Sequence, residues 1–442
     1  MPTARQDVLE QDRWNLASLY PSLASWQKEY TSVVHKEAPP FFEAITKYKG
    51  KLGDSADNLL KTLNTFFETE RKLRKLYTYA HLLHDEEITL EEPKKAYNSI
   101  VSIYHQFGQE AAWLQPEILG LPEKRLQEYL KDPKLQSYHF FLEKLERLKS
   151  HTLTEDQEAL VALAGQALDT PQRTFSALNN ADFKFGTVKD GKGNDRELTH
   201  ATYGLYMRDS DRVLRKNAFT TLHKKFQEYE NSLAELLSGN VQAHLFEAKA
   251  RKYKSCLEAA LYPKNIDTEV YHALIDAVHK KIGLLHRYMK LRKKLLGVDE
   301  LHYYDLYVPL IPSQDFTYTY EEAEQAIIDS VGPLGDEYLS LLDDGLKSGR
   351  WVDRYENENK RSGAYSSGCF DSSPYILMNY KGILRDVFTL AHEAGHSMHS
   401  LLSRKSQPYH YSDYAIFVAE VASTFNEELL SKTLVAKAKD DK

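Results

Sequence analysis

The stretch DVFTLAHEAGHSMHS, Asp386–Ser400, brings together His392, Glu393 and His396. On an α-helix, residues four apart share a face, roughly 40° apart around the axis. His392 and His396 can therefore aim two imidazoles at one point, as two ligands of a tetrahedral Zn²⁺ require. Glu393 sits about 100° further round and reaches a water at such an ion without ligating it. The chemistry on offer is metal-assisted hydrolysis. With 17 histidines in 442 residues, an H-E-x-x-H pattern can arise by chance, so its surroundings must decide.

A catalytic site needs a third ligand and an open position. A metzincin would continue with Gly at 399 and His at 402, but His399 and Leu402 stand there, which excludes that class. His399 lies about 10.5 Å along a helix axis from His392, too far for one ion with bonds near 2 Å to engage both easily. It reads as a neighbour of the site. The alternative is a carboxylate on a second helix, SDYAIFVAEVASTFNEELLSKTLV, with Ser412 and Asp413 as N-caps and an apolar face of Ala415, Ala419, Ala422, Phe425 and Leu429. Glu420 lies among Phe417, Val418, Val421 and Ala422, where a buried carboxylate is costly unless a cation meets it. Glu427, seven residues on, falls on nearly the same face and supports the site from behind. Pro408, in the connecting loop, lets the second helix double back.

Elements that could position these residues are mostly helical. NLLKTLNTFFETERKLRKLYTYAHLLH, VYHALIDAVHKKIGLLHRYMKLRKKLLG and similar runs repeat apolar residues three and four apart. Asp182–His200 instead alternates and turns through Lys189–Asn194, as a hairpin would. Gly363–Gly382 reads as turns plus a short buried strand, Tyr375–Tyr380, leading into the His-rich helix. The expected fold is mainly α with a small β-sheet beside the active-site helix, in two lobes: residues 1–195, helical, and 196–442, catalytic. Within Ile383–Leu402 a stripe from Leu384 to Leu401 is apolar, and Gly395 within it costs about 1 kcal/mol relative to Ala. A side chain there is expected to collide with a neighbouring element.

Composition narrows the function classes. Hydrophobic residues at 42% and charged residues at 27% allow a large core. Lys+Arg 57 against Asp+Glu 64, a net charge of −7 with both signs mixed, has no basic footprint for nucleic acid. No run of 18 apolar residues suits a membrane span, and no secretory signal opens the chain. Two cysteines, Cys256 and Cys369, fit a reducing compartment, so a cytoplasmic location is expected.

FTLAHEAGHSMHS followed by YAIFVAEVASTFNEELL resembles oligoendopeptidase F, in the thimet-oligopeptidase family of zinc metallopeptidases. RWNLASLYPS, FKFGTVKDGKGNDRELTHATYGLYMRDSDR, YKSCLEAALYPKNID, LHYYDLYVPL and KRSGAYSSGCFDSSPYILMNYKG are similar to its other blocks. The resemblance implies a two-lobed, gluzincin-like helical fold with one Zn²⁺ per chain deep in a channel, and cleavage of internal bonds in short unstructured oligopeptides. It makes His392, His396 and Glu420 the zinc ligands and Glu393 the general base. Gly363, Ala364, Tyr365 and the strand near Tyr375 would line the cleft, where an extended peptide could add itself as a strand. The family continues past the zinc helices with a Gly-rich turn carrying His and Tyr donors, for which no counterpart follows Glu420 here. Metal binding with feeble turnover is therefore expected of this polypeptide alone, the alternative being a non-catalytic module that binds peptide and metal.

Overall fold

The structure, a computed structural model, describes residues 4–34, 40–168, 170–310, 317–361 and 363–438. Two compact units emerge: Met1–Leu145 together with Asp315–Lys442, and the contiguous segment Glu146–Gln314. The expected division near residue 195 falls inside the second unit. The hairpin signal that prompted it is real but local, because Thr187–Lys189 pairs antiparallel with Asp195–Glu197 within that unit's own core of Phe183, Phe185, Val188 and Leu198. Asp190 closes the turn by accepting from the backbone N–H groups of Lys192 and Asn194.

The core of the first unit is built on a helical hairpin. Helix α1, Ala56–Glu86, starts where the Ser55 side chain accepts from the Asn58 N–H, satisfying one of the free N-terminal donors. Leu59, Leu63, Leu73, Leu76 and Leu82 recur along it at helical intervals and are fully buried. Helix α2, Glu91–Ala111, packs back along α1. Trp26 is anchored beside them by its Nε1–H donating to the Leu76 carbonyl.

Beyond this core lies a three-stranded sheet: β1, Val352–Asp353, β2, Tyr365–Ser367, and β3, Tyr375–Leu377. Its order is β1-β3-β2, with β1 parallel and β2 antiparallel to β3, so that Ser366 pairs with Ile376. The strand period of two splits β3 between two cores. Tyr375 and Leu377 join the core built on α1 and α2, whereas Ile376 and Met378 join a core with Val387, Leu390, Ala391, Ala394 and Met398. Those five belong to helix α3, Leu384–Ser406, which the chain enters directly from the sheet. Helix α4, Ile416–Lys437, packs antiparallel against it. Among the described residues no helix is long and apolar enough to cross a membrane.

Candidate metal centre

Helix α3 starts at a capping box in which Asp386 accepts from the backbone N–H groups of Lys381 and Ile383. Its buried stripe faces the sheet and α4, leaving His392 and His396 on an adjoining flank. The reversal into α4 is held by Ser403 donating to the Ser412 carbonyl at 2.7 Å and by a 2.8 Å bond between the hydroxyls of Ser400 and Tyr414. The helix begins at Ile416 without a side-chain cap. The expected caps are otherwise engaged: Ser412 Oγ donates to the Tyr409 carbonyl, and Asp413 pairs with Arg74.

Close approach of the two helices depends on Gly395. A Cβ there would lie 2.7 Å from the Ser423 Cα and 2.9 Å from the Ala422 carbonyl oxygen, so the expected collision is with α4. The buried face of α4 is Ala419, Ser423, Asn426 and Leu430, while Phe425 is exposed. This face is rotated from the one read off the apolar residues, because only small or slender side chains fit against Gly395.

The rotation turns Glu420 toward the histidines. The Nε2 atoms of His392 and His396 are 3.2 Å apart, and Glu420 Oε2 lies 3.2 Å from the first and 3.6 Å from the second. An ion with bonds of about 2.0–2.1 Å at tetrahedral angles sets its ligand atoms roughly 3.3–3.4 Å apart. The three atoms fit that spacing. Glu427 Oε1 sits 2.5 Å from His392 Nδ1; with the proton on Nδ1, the ring presents its Nε2 lone pair to the point where Glu420 Oε2, which also accepts from Ser423 Oγ at 3.0 Å, converges. Glu420 is 58% exposed, which leaves the cluster open to solvent.

Glu393 is buried on the neighbouring flank. Burial pushes its carboxyl up, with His392 and the backbone N–H of Ser366 pulling the other way. Burial, then the nearby His392, lowers the pKa of His396. His399 takes no part in the cluster; it stacks on Tyr414 with centroids 3.7 Å apart.

The sheet contributes differently from expectation. Gly363 is exposed, has φ +88° and accepts from the Asn379 side chain at its carbonyl; Ala364 packs on the α3 side. Tyr365 and Tyr375 point to the other face. The Tyr365 hydroxyl donates to Asp85 at 2.7 Å, and Tyr375, 1% exposed, shares a hydrogen bond with Ser18. Strand β3 is paired on both sides, so the sheet's edges belong to β1 and β2, and β2 is the one that Ser366 ties to α3. Sequence reasoning missed Ser366, which faces α3, bonds Ser397 Oγ at 2.8 Å and offers its N–H to Glu393. A signal existed in Ser397, four residues after Glu393 and so on its face of the helix.

The chain is similar to known proteins along its whole length. A model of peptidase family M3 matches residues 205–442, and one described as oligopeptidase F matches residues 117–185. Oligopeptidase PepF of Bacillus subtilis is 43% identical over 99% of the chain, which spans 65% of that relative's length. A solved structure from Chlamydophila abortus superposes with a TM-score of 0.88 at 43% identity, covering 100% of this chain and 73% of that one. Oligoendopeptidase-F from Enterococcus faecium superposes with a TM-score of 0.65 at 30% identity, covering 94% and 68%.

Proposed function

Since the chain belongs to peptidase family M3, we propose that it is a zinc-dependent endopeptidase that hydrolyses internal bonds of short unstructured oligopeptides. The observation that carries this reading is the convergence of His392, His396 and Glu420 on one point beside a buried Glu393. These three residues would hold one Zn²⁺, which when bound supplies Lewis acidity toward a peptide carbonyl and acidifies water.

The chain's own groups do the rest. Glu393 takes a proton from the attacking water and returns it to the departing amine nitrogen. Its burial keeps the carboxyl poised closer to neutral pH than an exposed Glu. Glu427, on His392 Nδ1, fixes that ring's tautomer and direction. An extended peptide binds along the β2 edge, through main-chain bonds that tolerate many sequences. This replaces a role for the Tyr375 side chain.

The test is a quenched fluorogenic peptide assayed with and without chelator, for the chain and for Glu393→Gln. Cleavage is expected to require metal and to fall about 10²–10⁴-fold in the variant, with its zinc content unchanged. Cleavage that survives both treatments would sink the proposal. Stoichiometric metal with peptide binding and no cleavage would point to the non-catalytic module instead.

A further inference from the structure

Next to the β2 edge, α1 and α2 turn facing stripes toward a cavity of about 480 Å³. Arg74 and Tyr77 come from α1, Tyr97 and Tyr104 from α2, and Ser367 and Gly368 close it from the sheet. Behind Gly368 stands Arg404, from the last turn of α3. Its Nη1 is buried and has no hydrogen-bond partner among the described residues. A Cβ on Gly368 would lie 2.8 Å from that atom, so the missing side chain is what leaves the guanidinium a path to the cavity.

A buried guanidinium N–H without a partner is expensive, and its surroundings do not compensate. Arg74 adds a second positive charge nearby. The Asp413 carboxylate is taken up by Arg74 at 2.5 Å. Burial pushes the Glu70 carboxyl up, toward its neutral form. Desolvation lowers the pKa of Arg404, with Cys369, Asp413 and Tyr414 opposing. Cation is in excess over anion at one end of a roomy, aromatic-walled cavity.

The distance from the metal cluster is set by α3. Arg404 follows His396 by eight residues, about 12 Å along the axis, which an extended chain covers in roughly three or four residues. We propose that Arg404, assisted by Arg74, forms a carboxylate subsite that binds either the C-terminal carboxylate of an oligopeptide or an acidic side chain three or four residues from the cleaved bond. The subsite rests on the peptidase reading above and adds to it a ruler: an anionic group at a fixed distance selects which internal bond is presented. Gly368 lines the cavity and Arg404 stands behind it, so the guanidinium would have to turn past the glycine to meet the ligand.

The experiment reads binding rather than turnover. Three fluorescein-labelled octapeptides of one parent sequence are titrated by anisotropy into the Glu393→Gln chain: the free acid, the C-terminal amide, and the amide with Glu as its last residue. The free acid is expected to bind about tenfold tighter than the amide, as befits a charge-assisted bidentate contact. Arg404→Met in the same background abolishes the difference, and Arg404→Lys keeps part of it. If the Glu-amide matches the free acid, the subsite takes side-chain carboxylates; if it matches the amide, it reads the terminus alone. Equal binding of acid and amide, or no binding of the free acid, overturns the proposal. So does discrimination that persists in Arg404→Met, or a lower Tm for that variant, which would give Arg404 a packing role. Chelator-sensitive cleavage of the amide by the unaltered chain is read separately, so the peptidase reading stands or falls on its own.

Discussion

Two charged clusters of the first unit follow opposite rules. Around Asp353, every charge has met its opposite. Arg5 grips both carboxylate oxygens at 2.8 and 2.6 Å, and Lys360 reaches one at 2.6 Å. Arg5 also pairs with Glu86, while the Lys360 ammonium donates to the carbonyls of Tyr355 and Met378. Burial alone would raise the pKa of Asp353, but Lys360 and Arg5 hold it below the usual carboxylate range. Around His392, by contrast, two imidazoles and a carboxylate converge as a group that could hold a metal ion. A cluster that answers itself serves the fold, and one that leaves a question open serves a ligand.

Mutating each cluster tests that distinction. Asp353→Asn leaves the buried Lys360 without a carboxylate and Arg5 with Glu86 alone, and is expected to cost about 3–5 kcal/mol, read as a shift in the urea midpoint. Glu420→Gln in metal-free protein is expected to cost little by the same assay, since the amide oxygen can still accept from Ser423 Oγ, yet to abolish the rise in Tm on adding zinc. A large loss from Glu420→Gln without metal would erase the contrast. Glu427→Gln should leave the fold intact and weaken zinc about 10–100-fold, measured by competition with a chromogenic chelator. Gly395→Ala sharpens the comparison from the packing side: overpacking costs about 1–3 kcal/mol, against a helix-propensity gain of about 1 kcal/mol. A net loss of up to about 2 kcal/mol with reduced zinc content is expected; unchanged stability and zinc would mean that α4 moves aside freely.

Much of the centre was legible because helical periodicity converts spacing into direction. His392, His396, Glu420 and Glu427 could be aligned by counting residues, and the structure brings their side chains together. The flank of α4 was less legible, since Ser423 and Asn426 do not look like core residues until Gly395 is seen against them. Strand partners were not legible at all. The apolar run at Tyr375 announces a strand but not that both its edges are occupied, nor that its odd-numbered side chains turn away from α3. Ser366 acts through its backbone N–H, which any residue but proline would supply. The division of the chain was hidden for a related reason: Arg5 meeting Asp353 leaves no trace in the composition between them.

That pairing also governs the order in which the molecule can be made. Arg5 and Asp353 are 348 positions apart, while Glu146–Gln314 is an unbroken stretch. At about 5–20 residues per second of synthesis, the start of the chain waits roughly 17–70 s for its mate to emerge. The middle segment, ending at Gln314, is complete about 2–8 s before then and is free to fold first. Newborn α1 and α2 therefore spend that interval with the apolar face destined for Tyr375 and Leu377 uncovered.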